Sequence, residues 1–131
     1  ASCAWGSWRS PSNPSLRDVH EYILIYSKGD YKHKGNKDNA TISAEDFTEY
    51  TKSIWRMGTA SAKKIGHPAP FPLTLPERLI NLYTFKGDTV LDPFMGSGTT
   101  AVACIHSERK YIGFEINGDF YNLALKRMEN E

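Results

Sequence analysis

At 131 residues, 40% of them hydrophobic, the chain holds one domain at most and a modest core, too little for a complete large α/β enzyme. A net charge of +1 gives no global nucleic-acid signature, and two cysteines with four scattered histidines build neither a disulfide framework nor a metal site. No secretory leader and no apolar run of membrane-spanning length is seen, so no membrane partner is expected and a reducing cytoplasm is the default.

Residues 1–20 read as a loop, with three serines and two prolines between positions 10 and 15. Trp5 and Trp8 anchor that loop or pack on a partner surface. Residues 21–27, Glu-Tyr-Ile-Leu-Ile-Tyr-Ser, are continuously apolar, β-branched and aromatic, which predicts a buried strand. A polar insert follows over 29–66. Its first part, 29–39, is loop. Ser43 with Asp46 forms a capping box, and Phe47, Tyr50, Ile54 and Trp55 follow at helical spacing. Such a stripe suits a core better than a base-stacking platform. Residues 58–66 are linker. Between 28 and 64 the insert leans basic, with Lys28, Lys32, Lys34, Lys37, Lys52, Arg56, Lys63 and Lys64 set against Asp30, Asp38, Glu45, Asp46 and Glu49. That lean is either a solvated face or a set of phosphate contacts.

The last part, 67–131, alternates strand and helix. Thr74 and Glu77 read as a capping box, Pro76 suits a first helical turn, and Leu79, Ile80 and Tyr83 share one face. A strand is expected over 89–93, a helix over about 98–108 with Cys104 on its apolar face, a strand over 111–116 and a helix over about 118–129. Asn117 is a good cap for the last helix, whose stripe is Phe120, Leu123, Ala124 and Met128. Strand, helix, strand in this order imply a right-handed parallel unit.

The chemistry concentrates where the first of these strands meets its helix. Val90-Leu91-Asp92 passes through Pro93-Phe94-Met95-Gly96-Ser97-Gly98 into Thr99-Thr100, and a second acid, Glu115, closes the next strand. Glycines at 96 and 98 let a ligand approach the backbone and permit positive φ. The unpaired N–H groups that open a helix favour a negatively charged group. A carboxylate at Glu115 can accept two hydrogen bonds from ribose hydroxyls. This is the layout of a nucleoside-cofactor site; the plain alternative is an ordinary tight turn with Glu115 solvated. No lysine follows the second glycine, so the loop is not one for triphosphates, and Ala101 stands where a dinucleotide pattern has its third glycine.

The wording of Asp92-Pro93-Phe94-Met95-Gly96-Ser97-Gly98-Thr99-Thr100 resembles the S-adenosylmethionine motif of DNA amino-methyltransferases, which methylate the exocyclic amine of adenine or cytosine. His67-Pro68-Ala69-Pro70-Phe71-Pro72, with Leu75-Pro-Glu-Arg-Leu-Ile80 behind it, is similar to the segment before the glycine loop in the permuted (β) group. Residues 5–28 resemble the segment that follows the catalytic half there. The resemblance implies an incomplete Rossmann-like α/β methyltransferase fold, with a mostly parallel sheet flanked by helices. It divides the chain into 1–28 from the end of the catalytic half, a short target-recognition insert over 29–66, and a cofactor half over 67–131. It assigns S-adenosylmethionine to His67, Pro68, Phe71, Pro72, Asp92 through Thr100, Glu115, Ile116 and Asn117. Phe94 stacks near the adenine or lines the pocket, or else is a core residue under the loop. DNA phosphates fall to Lys32, Lys34, Lys37, Lys52, Arg56, Lys63 and Lys64.

The family's catalytic motif, an Asp, Ser or Asn followed by Pro-Pro and an aromatic ring, is absent: the chain has no Pro-Pro pair, and Asn13-Pro14-Ser15 is the nearest string. In that family the motif's polar group and ring hold a flipped base. Two readings follow. One is the C-terminal part of a restriction-modification DNA methyltransferase, acting on double-stranded DNA and inactive alone. The other is a non-catalytic cofactor-binding or assembly module. With three strands legible where the family's sheet has seven, self-association or pairing with an N-terminal catalytic half is expected.

Overall fold

A computed structural model describes residues 6–16, 18–58, 60 and 71–131. The chain falls into two compact units, Ala1–Lys32 and His33–Glu131. In the first, Gly6 and Pro14 form an antiparallel bridge, and the Ser7 N–H donates to the Asn13 carbonyl at 2.8 Å. Gly6 has φ +63°, and a Cβ there would lie 2.2 Å from the Asn13 carbonyl oxygen, so this turn needs glycine. The expected buried strand over 21–27 does not form. These residues carry no ladder, and Tyr22, Leu24 and Tyr26 are 83%, 69% and 84% exposed. A strand is stable only against a neighbour that takes up its backbone donors and acceptors. Among the described residues of this unit, the single bridge at Gly6 offers none. Trp5 lies outside the described residues.

The second unit begins with a 3-10 turn, Lys37–Asn39, and then helix α1, Ala44–Tyr50. Ser43 caps α1 as expected, accepting from the Asp46 N–H at 2.9 Å. The predicted stripe does not run through. The Thr51 hydroxyl turns back onto the Phe47 carbonyl at 2.7 Å, the helix ends at Tyr50, and Phe47 and Ile54 stand exposed. Trp55 instead folds back, donating from Nε1 to the Tyr50 carbonyl at 2.9 Å. The Arg78 guanidinium lies over the Tyr50 ring at 4.7 Å and the Trp55 ring at 5.5 Å, joining α1 to the next helix by cation–π contact.

That helix, α2, spans Thr74–Tyr83. Its expected capping box is absent. Leu73 in helical geometry holds the cap position without a side-chain bond, and the Glu77 carboxylate lies 3.2 Å from His106 Nδ1 instead. Pro76 is buried in the first turn, where its missing N–H costs nothing. Strand β1 is Thr89–Asp92, helix α3 Thr99–His106, strand β2 Lys110–Gly113 and helix α4 Gly118–Met128. The two strands pair in parallel, Thr89 with Lys110 through Asp92 with Gly113, and together make a two-stranded sheet. Helix α3 packs on α2, α4 and β2.

Two apolar clusters result. Ile80, Ala103 and Cys104 pack with Leu73 and Val90 between α2, α3 and β1. Met95, Ala101 and Ala124 pack with Met128 between the glycine loop, α3 and α4. Burial pushes the Cys104 thiol up to about 11, so it stays a protonated core group. A buried arginine joins the insert to this core. Arg109 donates from Nη1 to the Thr41 hydroxyl at 2.6 Å and to the Ser107 carbonyl, from Nε to the Thr84 hydroxyl at 3.0 Å, and from Nη2 to the Thr84 carbonyl at 2.7 Å. Among the described residues, no helix is long and apolar enough to cross a membrane.

Candidate functional site

The two loops that leave the carboxyl ends of β1 and β2 lie side by side. This follows from the parallel register, which sets Asp92 opposite Gly113 and carries the chain on through hydrogen bonds from Phe114 N–H to Asp92 O at 3.0 Å and from Met95 N–H to Phe114 O at 2.9 Å. The first loop must then reverse into α3. Gly96 and Gly98 supply the reversal with φ of +53° and +81°. At Gly98 a Cβ would also come within 2.9 Å of the Ala124 Cβ, so glycine is required twice, by conformation and by the close approach of α4.

Both expected acids are at this junction, and each stitches backbone. Asp92 Oδ1 accepts from the Phe94 N–H at 3.0 Å, and its Oδ2 accepts from the Thr100 hydroxyl at 2.6 Å, which closes the loop on itself. Glu115 Oε2 accepts from the Gly96 N–H at 2.8 Å, and Oε1 accepts from the Asn117 N–H at 2.8 Å. The second acid therefore bridges the two loops. Each carboxylate oxygen has two lone pairs, so one on each Glu115 oxygen remains for a ligand hydroxyl. The cap of α3 is Gly98, so no side chain caps the first-turn N–H groups of the helix.

The remaining expected residues separate by face. Phe94 and Ile116, on the two loops that Glu115 ties together, stand 88% and 102% exposed, so Phe94 is not a core residue. Met95 turns inward to Ala101 and Ala124, and a Cβ at Gly113 would come within 2.2 Å of its sulfur, so only its backbone faces the loop. Asn117 caps α4, accepting from the Asp119 N–H at 2.9 Å and the Phe120 N–H at 3.2 Å. Pro93 is exposed, Phe71 is exposed and Pro72 half-buried just ahead of α2. His67 and Pro68 lie outside the described residues.

Ser97 and Thr99 are buried and turn away from solvent. Their partner is a residue that periodicity did not single out. Arg127, in the last turn of α4, donates from Nη1 to the Ser97 carbonyl at 2.6 Å, the Ser97 hydroxyl at 2.9 Å and the Thr99 hydroxyl at 3.2 Å. Burial works against its charge and lowers its pKa, and Glu131 partly offsets this. The signal for it was one helical step away: Arg127 lies three residues after Ala124, on the face that meets the loop.

Of the basic residues, Lys34, Lys37, Lys52 and Arg56 are exposed in the second unit, with Lys52 paired to Glu49, while Lys32 is exposed in the first. Lys63 and Lys64 lie outside the described residues. No cluster of three metal-ligating side chains exists among the described residues.

A family model described as DNA methylase matches residues 3–126. The type II methyltransferase M.BglI of Bacillus subtilis is 38% identical over 129 residues, which cover 96% of this chain and 36% of that protein. The type II methyltransferase M.MthZI of Methanothermobacter thermautotrophicus is 33% identical over 135 residues, covering 94% of this chain and 38% of that one. A solved structure of a protein assigned as a DNA modification methylase from Thermus thermophilus superposes with a TM-score of 0.68 at 30% identity, over 86% of this chain and 51% of its own length. Its complex with S-adenosyl-L-methionine superposes with a TM-score of 0.67. The chain belongs to the DNA methylase family and has its α/β methyltransferase fold. It spans between a third and two fifths of the length of these two curated relatives.

Proposed function

We propose that the chain is the cofactor-binding part of a DNA methyltransferase, and that S-adenosylmethionine binds along Asp92–Thr100 and Glu115. The observation that supports this most is the Glu115 bridge. One carboxylate fixes the glycine loop against the next strand's end and still has an acceptor site on each oxygen, beside helix donors that no side chain caps. That donor and acceptor set fits a nucleoside with a ribose diol and a charged amino-acid tail. Glu115 accepts the diol, and the amides that open α3 take the polar tail. Phe94 and Ile116 supply exposed apolar surface for the adenine. When bound, the cofactor supplies an electrophilic methyl on a sulfonium sulfur, and the acceptor in this family of reactions is an exocyclic amine of adenine or cytosine in DNA.

Lys34, Lys37 and Arg56 are the phosphate contacts in this reading, together with Lys32 and with Lys52 once it leaves Glu49. Lys63 and Lys64 extend the same basic segment. The residues that hold a flipped base are not among these 131, since no Pro-Pro-aromatic string occurs in them. By itself the chain binds cofactor and does not transfer methyl, and an N-terminal catalytic half supplies the missing motif.

Titration calorimetry with S-adenosylhomocysteine tests the reading. Glu115→Ala is expected to weaken binding by about 1–3 kcal/mol, the scale of hydrogen bonds to a charged group. Equal affinity for both proteins would remove Glu115 from the site. In a tritiated-methyl assay on unmodified DNA, the chain alone is expected to match the no-enzyme control. Incorporation above that control, from a preparation free of host methylases, would contradict the missing role.

A further inference from the structure

We propose that Arg127 is a positioning residue for the glycine loop, holding Ser97 and Thr99 from behind so that the loop's amides stay turned toward the ligand face. This rests on the reading of that loop as a cofactor site. The peptide between Ser97 and Gly98 is the loop's weak point. It turns about Ser97 ψ and Gly98 φ, and Gly98, at φ +81°, is the residue type that moves most cheaply between conformations. Both ends of this peptide are held. Its N–H donates to the Met95 carbonyl at 2.9 Å, and its carbonyl accepts from Arg127 at 2.6 Å. Without Arg127 the carbonyl end has no described partner to keep it on the α4 side. A carbonyl rotated toward the ligand face would place a lone pair where donors are needed.

Two features set Arg127 apart from a surface arginine that happens to reach the loop. All three of its acceptors belong to Ser97 in the loop and Thr99, the first residue of α3, and these two residues are 4% and 3% exposed, so the half-buried guanidinium meets acceptors that are themselves buried. It also shares a helix face with Ala124, against which Gly98 packs with no room for a side chain. Helix α4 thus supports the turn at two adjacent points, sterically at Ala124 and by hydrogen bonds at Arg127. The serine and second-to-last threonine of Gly96-Ser97-Gly98-Thr99-Thr100 then serve the bracket and not the ligand.

Amide hydrogen exchange by NMR on the ligand-free chain, with calorimetric titration of S-adenosylhomocysteine, decides this. Arg127→Met is expected to speed exchange at Gly96, Ser97, Gly98 and Thr99 while leaving Val90 and Ile112 in the sheet as they were. It is also expected to lower affinity about tenfold, the scale of one charge-assisted hydrogen bond. Arg127→Lys, which keeps a charged donor, should recover part of both. Unchanged loop exchange in Arg127→Met overturns the proposal. So does an equal rise across loop and sheet, which marks general loosening. If wild type itself fails to bind, the cofactor reading falls, while the exchange pattern still decides what Arg127 does.

Discussion

Gly98 carries two constraints in one position, and they can be separated. The left-handed conformation costs an L-residue about 1–2 kcal/mol. The contact with Ala124 adds a steric term, because a new Cβ would sit 2.9 Å from the Ala124 Cβ. Gly98→Ala is therefore expected to lower the urea midpoint by more than the conformational term alone, and to cost less, by the steric part, when made in an Ala124→Gly chain and compared with Ala124→Gly by itself, which carries the cost of glycine inside α4. A midpoint lowered by the conformational term alone would show that the turn relaxes away from α4. The need for glycine here was legible from the Gly-x-Gly spacing, and the second acid from its place at the end of the next strand. The distant partner of Glu115 was not legible. Its bond to Asn117 spans only two residues, whereas its bond to Gly96 depends on the strand register, which brings position 96 beside position 115, and no local pattern encodes that. Arg127 escaped notice for the same reason, since its acceptors lie 28 to 30 residues away in sequence.

Helices were legible where their signals are local. Ser43 and Asn117 cap as expected because each bond spans two or three residues and needs nothing else. The Thr74 and Glu77 pairing failed because tertiary structure offered Glu77 a competing partner. His106, at the end of α3, stands between Glu77 at 3.2 Å from Nδ1 and Glu131 at 2.6 Å from Nε2. Two carboxylates can both be served only by an imidazolium, which donates from both nitrogens. Glu131 first and Glu77 second accordingly raise the His106 pKa above its ordinary value. A raised folded pKa gives a contribution that is complete below the unfolded value, near 6.5, and is lost as pH climbs through the folded one. The melting-temperature gap between wild type and His106→Ala is expected to be widest near pH 6 and to narrow as pH rises. A gap constant across that range would show that the clasp does not titrate. The strand over 21–27 is the element that sequence misplaced. Apolar, β-branched content marks a segment able to pair, but pairing needs a neighbour, and the described part of its unit has none.

At the scale of the whole molecule, the sheet leaves apolar surface uncovered. Among the described residues it has two strands, and Leu91, Ile112 and Phe114 stand exposed on or beside it, with Phe94 and Ile116 at its carboxyl end. Unpaired strand edges and contiguous apolar surface both favour association. Light scattering across a concentration range is expected to show mass rising above 14.8 kDa; a sharp species at that mass, with cooperative unfolding, would show that the sheet closes as it stands. The loop architecture does not depend on that outcome, because its ties run within the second unit, among β1, β2, α3 and α4. The most direct test of cofactor binding at this loop is therefore a nitrogen-15 NMR titration of the chain with S-adenosylhomocysteine. Saturable shifts are expected at Phe94 through Thr100 and at Glu115 through Asn117, with α1 unmoved. Shifts confined to other elements, or none at millimolar ligand, would contradict it.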